Sequence, residues 1–235
     1  KKFSKKVDFF GCGSFSLGKN LQLEFEKKFG VRLSNLYGLS EAGLTHFDNP
    51  KDKKRKIGSI GKIIGDKKIK IINKTDDQSG EIAIKAKTLF SGYYKNKPLY
   101  RKSFKDKYFL TGDLGFIDKN EYFFFKDRKK DIIIKGGINI SSVEIENIIL
   151  NNSIIKESAV IPVTDSFFGE NILAFITLKN RKIKFNQESF KKKLEKKLGY
   201  FKTPNEIRVI KNMPKTSNGK IKKVLLKNYI WKKKY

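Results

Sequence analysis

Apolar positions change their spacing three times along the chain. Residues 7–10 form a short apolar stretch that leads into a glycine-rich turn, Gly11-Cys12-Gly13. Leu17, Leu21, Phe25 and Phe29 then recur at helical spacing, which predicts a helix capped by Ser16 and stopped by Gly30. A strand-like run, 31–36, ends in Tyr37-Gly38. From residue 57 the apolar runs shorten and predict strands over 57–64, 68–72, 81–85, 108–110, 114–117 and 122–125. Turn chemistry separates them, as at Thr75-Asp76-Asp77-Gln78-Ser79-Gly80 and Asp118-Lys119-Asn120-Glu121. This section reads as a small antiparallel barrel or sandwich.

After the charged run Asp127-Arg128-Lys129-Lys130-Asp131 the pattern changes again. It predicts a strand over 132–135, a Gly136-Gly137 turn, a helix over 141–150, strands over 158–163 and 172–178, a helix over 187–198, a strand over 206–210 and a last helix from Lys220. Mixed strands and helices of similar length give an α+β class. The charged run divides the chain into residues 1–129 and 130–235. No apolar run is long enough to cross a bilayer, the longest being of the size of 132–134.

Charge adds a second reading. Lys and Arg number 53 against 24 Asp and Glu, a formal charge of +29, which draws any polyanion into salt-dependent contact. Arginine stands only at Arg32, Arg55, Arg101, Arg128, Arg181 and Arg208, and the lysines are dispersed. Base readout favours arginine and stacking platforms need organised aromatics, so no specific nucleic-acid partner is expected. A hydrophobic fraction of 38% with 20 Phe and 9 Tyr supports a packed core. The single cysteine, Cys12, and the absence of a leader pattern suggest a reducing, cytoplasmic setting. One Cys and one His, His46, leave too few soft ligands for a zinc site, and His46 reads as a loop residue.

Several short segments carry candidate chemistry. Gly13-Ser14-Phe15-Ser16-Leu17-Gly18-Lys19-Asn20 nearly spells a phosphate-binding loop, but Asn20 stands where Ser or Thr should meet magnesium, and the helix is expected to begin earlier, at Ser16. Gly11 and Gly13 permit close backbone approach to a flat ligand, or simply a tight turn. Tyr37-Gly38-Leu39-Ser40-Glu41 places a ring, a hydroxyl and a carboxylate after a strand, where they can stack a base, meet a phosphate oxygen and ligate a hard cation. The same segment also reads as a solvated loop. Asp113, in Thr111-Gly112-Asp113 between two predicted strands, can accept both hydroxyls of a ribose or can merely form a turn. Lys220, in Pro214-Lys215-Thr216-Ser217-Asn218-Gly219-Lys220, offers a point charge to a carboxylate or phosphate, as any surface lysine does.

The order of these segments resembles one family. Tyr37 to Glu41, Gly80-Glu81-Ile82 with Ser91-Gly92-Tyr93-Tyr94, Thr111-Gly112-Asp113, residues 127–137 with Glu144-Ile145-Glu146, and residues 214–220 together resemble the AMP-forming acyl-CoA synthetase superfamily. Gly11-Cys12-Gly13 falls where that family has a small-residue loop against adenine. The resemblance implies the end of a large AMP-binding domain, including a small β-barrel subdomain, over 1–129 and a mobile C-terminal domain over 130–235. It implies ATP and AMP, Mg2+ and coenzyme A or a carrier-protein phosphopantetheine, with a carboxylic acid substrate. Tyr37 would pack on adenine, Ser40 would contact the α-phosphate and Glu41 would hold Mg2+. Asp113, helped by Arg128, would take the ribose hydroxyls. Lys220 would bridge carboxylate and phosphate, Lys130 beside Asp131 would be the hinge, and Gly136-Gly137 would approach the pantetheine.

The sequence also departs from the family pattern: Asp127 replaces a usual Gly, and Ser14 and Ser142 replace frequent prolines. No Ser/Thr/Gly-rich phosphate loop ending in Pro-Lys is found. The expectation is therefore a portion of such an enzyme, poor at adenylation alone and associating with a chain that carries the rest. A non-catalytic adenylate-binding remnant and a basic polyanion-binding module are the alternatives.

Overall fold

The computed structural model describes residues 7–14, 17–75, 77–180, 182 and 184–231. The chain divides into two compact units, residues 1–129 and 130–235. No helix among the described residues is long and apolar enough to cross a membrane.

The first unit opens with β1 (Phe9–Gly13), α1 (Lys19–Phe29), β2 (Arg32–Leu39), β3 (Gly43–Phe47) and β4 (Lys62–Ile63). These strands form a sheet ordered β1-β2-β3-β4, parallel between β1 and β2 and antiparallel beyond. The α1 crossover is tied down from inside by a buried amide. Gln22 Nε2 donates to Leu33 O at 2.8 Å and to Asp48 Oδ2 at 3.1 Å, and its Oε1 accepts from Gly58 N at 2.8 Å. Arg55, buried beside it, pairs with Asp48 and with Glu26 of α1.

A second sheet holds β5 (Lys68–Ile72), β6 (Gly80–Lys85), β7 (Phe104–Lys105), β8 (Tyr108–Ile117) and β9 (Phe123–Arg128), all antiparallel. Its order is β5-β6-β8-β7, with β9 also on β8. No pairing joins β5 to β9 among the described residues, so strand pairing forms half of the expected barrel. Between β6 and β7 lies α2 (Lys97–Lys102), capped by Asn96, whose Oδ1 accepts from Leu99 N at 3.1 Å. The core of this unit gathers Ala42, Ile60, Ile82, Ile84 and Phe123, all nearly inaccessible.

Several boundaries correct the sequence reading. Gly11-Cys12-Gly13 is not a turn but the end of β1. Leu17 precedes α1, which starts at Lys19 after Gly18, while Ser16 lies outside the described residues. The helix start thereby ceases to count against a phosphate-binding loop at 13–20, but Asn20 and the partly exposed strand β1 before it still do. The strand expected over 57–64 shrinks to Lys62–Ile63, because Ile57 and Gly58 form a turn and Gly61 makes only an isolated bridge to Phe123. The strands expected at 108–110 and 114–117 are one, β8, and His46 is a buried residue of β3 rather than a loop residue.

In the second unit β10 (Ile133–Lys135) and β11 (Ile138–Ile140) make a hairpin, followed by α3 (Ser142–Leu150), β12 (Ile155–Asp165), β13 (Gly169–Leu178), α4 (Gln187–Leu198), β14 (Glu206–Val209), α5 (Lys223–Leu226) and α6 (Asn228–Trp231). The sheet is ordered β11-β10-β13-β12, with β14 parallel to β13. Strand β11 escaped the sequence reading because its three residues are too few to show alternation. Both faces of the sheet are covered. Val160, Ile172, Ala174 and Ile176 pack with α3 and α4 through Ile145, Ile149, Phe190 and Leu194. Ala159, Ile161, Leu173 and Phe175 pack instead with Met213 and Leu226. The helix expected from Lys220 starts only at Lys223, leaving Lys220 in a loop.

Candidate functional site

Asp113 is set by an irregularity in β8. Opposite β6, Glu81 pairs with Leu114 and Ala83 with Leu110, so β8 carries extra residues at Thr111-Gly112-Asp113. Such bulges bend a strand and re-aim its side chains. Thr111 Oγ1 donates to Ile82 O at 2.7 Å and accepts from Asp113 N at 3.1 Å, while Gly112 N donates to Glu81 Oε1 at 3.0 Å. Lys129 in turn holds the other oxygen of Glu81 at 3.1 Å. The motif expected in a turn is thus a fixed bulge inside a strand.

Two partners reach the Asp113 carboxylate. Arg128, its cross-strand partner on β9, places Nε 3.2 Å from Oδ1. The Tyr37 hydroxyl donates to Oδ2 at 2.8 Å. Asp113 is 3% exposed, with the Tyr37 hydroxyl hydrogen-bonded to Oδ2 and the Arg128 guanidinium paired in charge with Oδ1. Burial, reinforced by the Asp113 charge, pushes the Tyr37 phenol well above its ordinary range and keeps it a donor.

Behind Tyr37, on β3, His46 lies with its ring centroid 5.3 Å from that of Tyr37 and 4.6 Å from that of Phe123. Its Nδ1 shares a hydrogen bond with Thr45 Oγ1 at 2.9 Å. Burial lowers the imidazole to about 3, so it stays neutral. Nothing in the local sequence marked His46; its burial follows from register, since it faces Tyr37 across the β2–β3 pair.

Ser40 and Glu41 occupy the β2–β3 turn, held by three contacts. Ala42 is fully buried in the core, Thr88 Oγ1 donates to Ala42 O at 3.0 Å, and Phe90 N donates to Glu41 O at 2.9 Å. The Glu41 side chain accepts from the Tyr93 hydroxyl at 3.1 Å. Tyr93 belongs to a segment the sequence reading marked without a role. No cluster of three ligating acidic, His or Cys side chains occurs among the described residues. A single carboxylate such as Glu41 fits Mg2+, which is commonly held by one or two carboxylates with substrate phosphates and water.

Gly11, Cys12 and Gly13 pair with Ser34, Asn35 and Leu36 of β2. A Cβ at Gly11 would sit 2.8 Å from Leu36 Cδ1, and one at Gly13 would sit 3.1 Å from Leu36 O. A side chain at Gly11 would displace the flexible end of Leu36 and one at Gly13 would crowd its carbonyl, so packing of β1 on β2 already favours glycine here without demanding it. Burial raises the Cys12 thiol, which disfavours a reactive thiolate.

In the second unit, Gly136 and Gly137 form the β10–β11 turn with φ of 54° and 79°, the left-handed geometry of a two-residue hairpin. Lys135 beside it is buried, with Nζ 5.3 Å and 5.1 Å from the Phe168 and Phe201 ring centroids and 3.2 Å from Asn205 Oδ1. Lys220 stands exposed on the 214–222 loop. Lys130 and Asp131 lie in a short 3-10 turn, Lys129–Asp131, directly after β9.

The structure thus brings Tyr37, Asp113 and Arg128 into direct contact and fixes the Ser40-Glu41 turn that follows Tyr37 by two residues. Gly136, Gly137 and Lys220 are carried by other elements, in the second unit. With this geometry in hand, comparison with known proteins places the chain. The AMP-binding enzyme family matches residues 1–94, and the AMP-binding enzyme C-terminal domain matches residues 144–220. A sulfoacetate–CoA ligase of Cupriavidus necator is 32% identical over 230 residues, covering 95% of this chain and 45% of that protein. A 2-succinylbenzoate–CoA ligase of Listeria monocytogenes is 35% identical, over 87% of this chain and 42% of its own length. ATP-bound MatB from Rhodopseudomonas palustris superposes with a TM-score of 0.86 at 28% identity, covering 94% of this chain and 45% of that one. The o-succinylbenzoate CoA synthetase of Bacillus subtilis, in complex with its acyl-adenylate intermediate, gives 0.85 at 25%, over 96% and 47%. The chain spans a little under half the length of these relatives, and it belongs to the AMP-forming acyl-CoA synthetase superfamily.

Proposed function

We propose that this chain carries the adenine and ribose floor and the C-terminal domain of an acid–thiol ligase, which joins a carboxylic acid to ATP as an acyl-adenylate and passes the acyl group to a thiol. The observation that carries this reading is the Asp113 carboxylate, buried between the Tyr37 hydroxyl and Arg128. A ribose presents two neighbouring hydroxyl donors, and one ionised carboxylate can accept both. Arg128 pairs with that carboxylate, and the Tyr37 ring offers an apolar face to adenine.

Roles for the remaining residues follow the same chemistry. In adenylation a substrate carboxylate oxygen attacks the α-phosphorus, the bond to the bridging oxygen breaks and pyrophosphate leaves. Ser40 offers a hydroxyl to the α-phosphate, and Glu41 is the residue to hold Mg2+. When bound, Mg2+ neutralises phosphate charge. Lys220 supplies a compact cation to carboxylate and phosphate as negative charge builds. Lys130 and Asp131, charged and solvated, form the hinge about which the C-terminal domain turns between half-reactions. In the second half-reaction Gly136-Gly137 lies against the pantetheine arm. Coenzyme A is the favoured acceptor, in keeping with the relatives' names, with a carrier-protein phosphopantetheine as the other candidate.

The test is a product analysis of this chain combined with one that carries the rest of such an enzyme, supplied with ATP, a panel of carboxylates and coenzyme A. Carboxylate-dependent AMP, pyrophosphate and acyl-CoA are expected. ADP and orthophosphate in their place would overturn the reading.

A further inference from the structure

The Lys220 loop is fastened at both ends by ion pairs to different elements. On its leading side, Lys215 pairs with Glu157 of β12. Glu157 is itself oriented: its cross-strand partner Thr177 donates from Oγ1 to Oε2 at 3.0 Å, leaving Oε1 to Lys215. Burial pushes the Glu157 carboxyl up, but the hydrogen bonds from Lys215 and Thr177 outweigh it and hold the group below its ordinary value. On the trailing side, Lys223 reaches Glu146 of α3 at 2.7 Å and donates to Ser142 Oγ at 2.8 Å. Ser142 stands where the family frequently has proline, so the departure supplies a hydroxyl that proline lacks.

Between these anchors the loop closes on itself. Thr216 N donates to Lys220 O at 2.8 Å, Lys220 N to Thr216 Oγ1 at 3.1 Å, and Lys222 N to Pro214 O at 2.8 Å. Met213 and Ile221, flanking the loop, pack on the face of β12 and β13 that also presents Glu157. The carboxylates of the anchors are only partly exposed, Glu157 at 18% and Glu146 at 15%, while Lys223 is 22% and Lys215 40% exposed, so the Glu146 pair is the better shielded from solvent.

We infer that Glu157 with Lys215, and Glu146 with Lys223, are positioning pairs that fix the Lys220 ammonium for adenylation and for no other step. The inference rests on the proposed role of Lys220. Holding a reacting group to within an ångström accounts for large rate factors, so loosening one anchor should cost about ten- to a hundredfold in that half-reaction.

The experiment uses Lys215→Ala, Glu157→Gln, Lys215→Arg and the charge exchange Glu157→Lys with Lys215→Glu, alongside Lys220→Ala. Backbone order parameters for residues 216–220 are measured by NMR in the chain itself. Both half-reactions are followed in enzyme competent for them. The expected result is lower order parameters and a fall of about ten- to a hundredfold in the kcat of adenylation for Lys215→Ala and Glu157→Gln. Acyl transfer from supplied acyl-adenylate should stay within about twofold, and Lys215→Arg should restore adenylation. A merely structural role would lower both half-reactions together, and that outcome overturns the proposal, as do unchanged loop order and unchanged adenylation. If Lys220→Ala itself spares adenylation, the reading of Lys220 fails, whereas a crippled Lys220→Ala beside normal anchor variants refutes the positioning pairs alone.

Discussion

The Tyr37 hydroxyl donates to Asp113 Oδ2 at 2.8 Å across 76 residues of sequence, joining the end of β2 to the bulge in β8. Two segments that each read as an ordinary turn are therefore halves of one arrangement. Tyr37→Phe keeps the ring but removes this donor to a buried charge. Hydrogen bonds to charged groups contribute about 1.5–3 kcal/mol, so affinity for a non-hydrolysable acyl-adenylate mimic should fall by at least about tenfold, read by calorimetry. Undiminished affinity would mean the phenol does not organise Asp113.

Lys220→Ala should lower adenylation by about a hundredfold or more, the scale seen when a charge-stabilising donor is lost. Acyl transfer from supplied acyl-adenylate should remain nearly intact. Single-turnover assays of each half-reaction separate the two effects, and equal losses would contradict the assignment.

His46 makes stability depend on pH in a defined direction. Its folded value is about 3 against 6.5 for an unperturbed imidazole. Below pH 6.5 the unfolded chain binds a proton that the folded chain refuses, so stability falls as pH drops from 6.5 towards 3. Denaturant unfolding at pH 7 and pH 4.5 should show a larger loss in the wild type than in His46→Phe, which removes the titrating ring. Equal losses would place the acid sensitivity elsewhere.

Arg55 is the structural counterpart. Its side chain is 4% exposed and bridges Asp48, itself fully buried, to Glu26 of α1. Removing one member of a buried pair costs about 3–5 kcal/mol. Arg55→Met should therefore lower the unfolding free energy of the first unit by that order, and adding Asp48→Asn should recover part of it, both read by denaturant titration.

Periodicity and turn chemistry made much of this legible. Helix α4 and strand β13 carry enough alternation and length to be placed closely, and Gly136-Gly137 announced its turn but not the hairpin's second strand. Features that depend on distant partners were not readable. The Thr111 to Asp113 bulge looks like a turn until β6 is laid beside it, because the glycine and acid that make a bulge also make turns. The extent of barrel closure was hidden for a related reason, since closure depends on pairing between edge strands that local pattern does not encode. The candidate site residues emerged through the order of their motifs, whereas what Tyr93, Thr111 and His46 touch became visible only in the structure.

The most direct test of the central claim is a calorimetric titration of wild type and Asp113→Ala with a non-hydrolysable acyl-adenylate mimic, with a short DNA duplex as control. The account predicts saturable binding by the wild type that is abolished or weakened at least about a hundredfold in Asp113→Ala, and duplex binding that fades with salt and ignores the substitution. Equal binding of the mimic by both proteins, or none by either, would contradict the claim that this chain holds the nucleoside through Asp113.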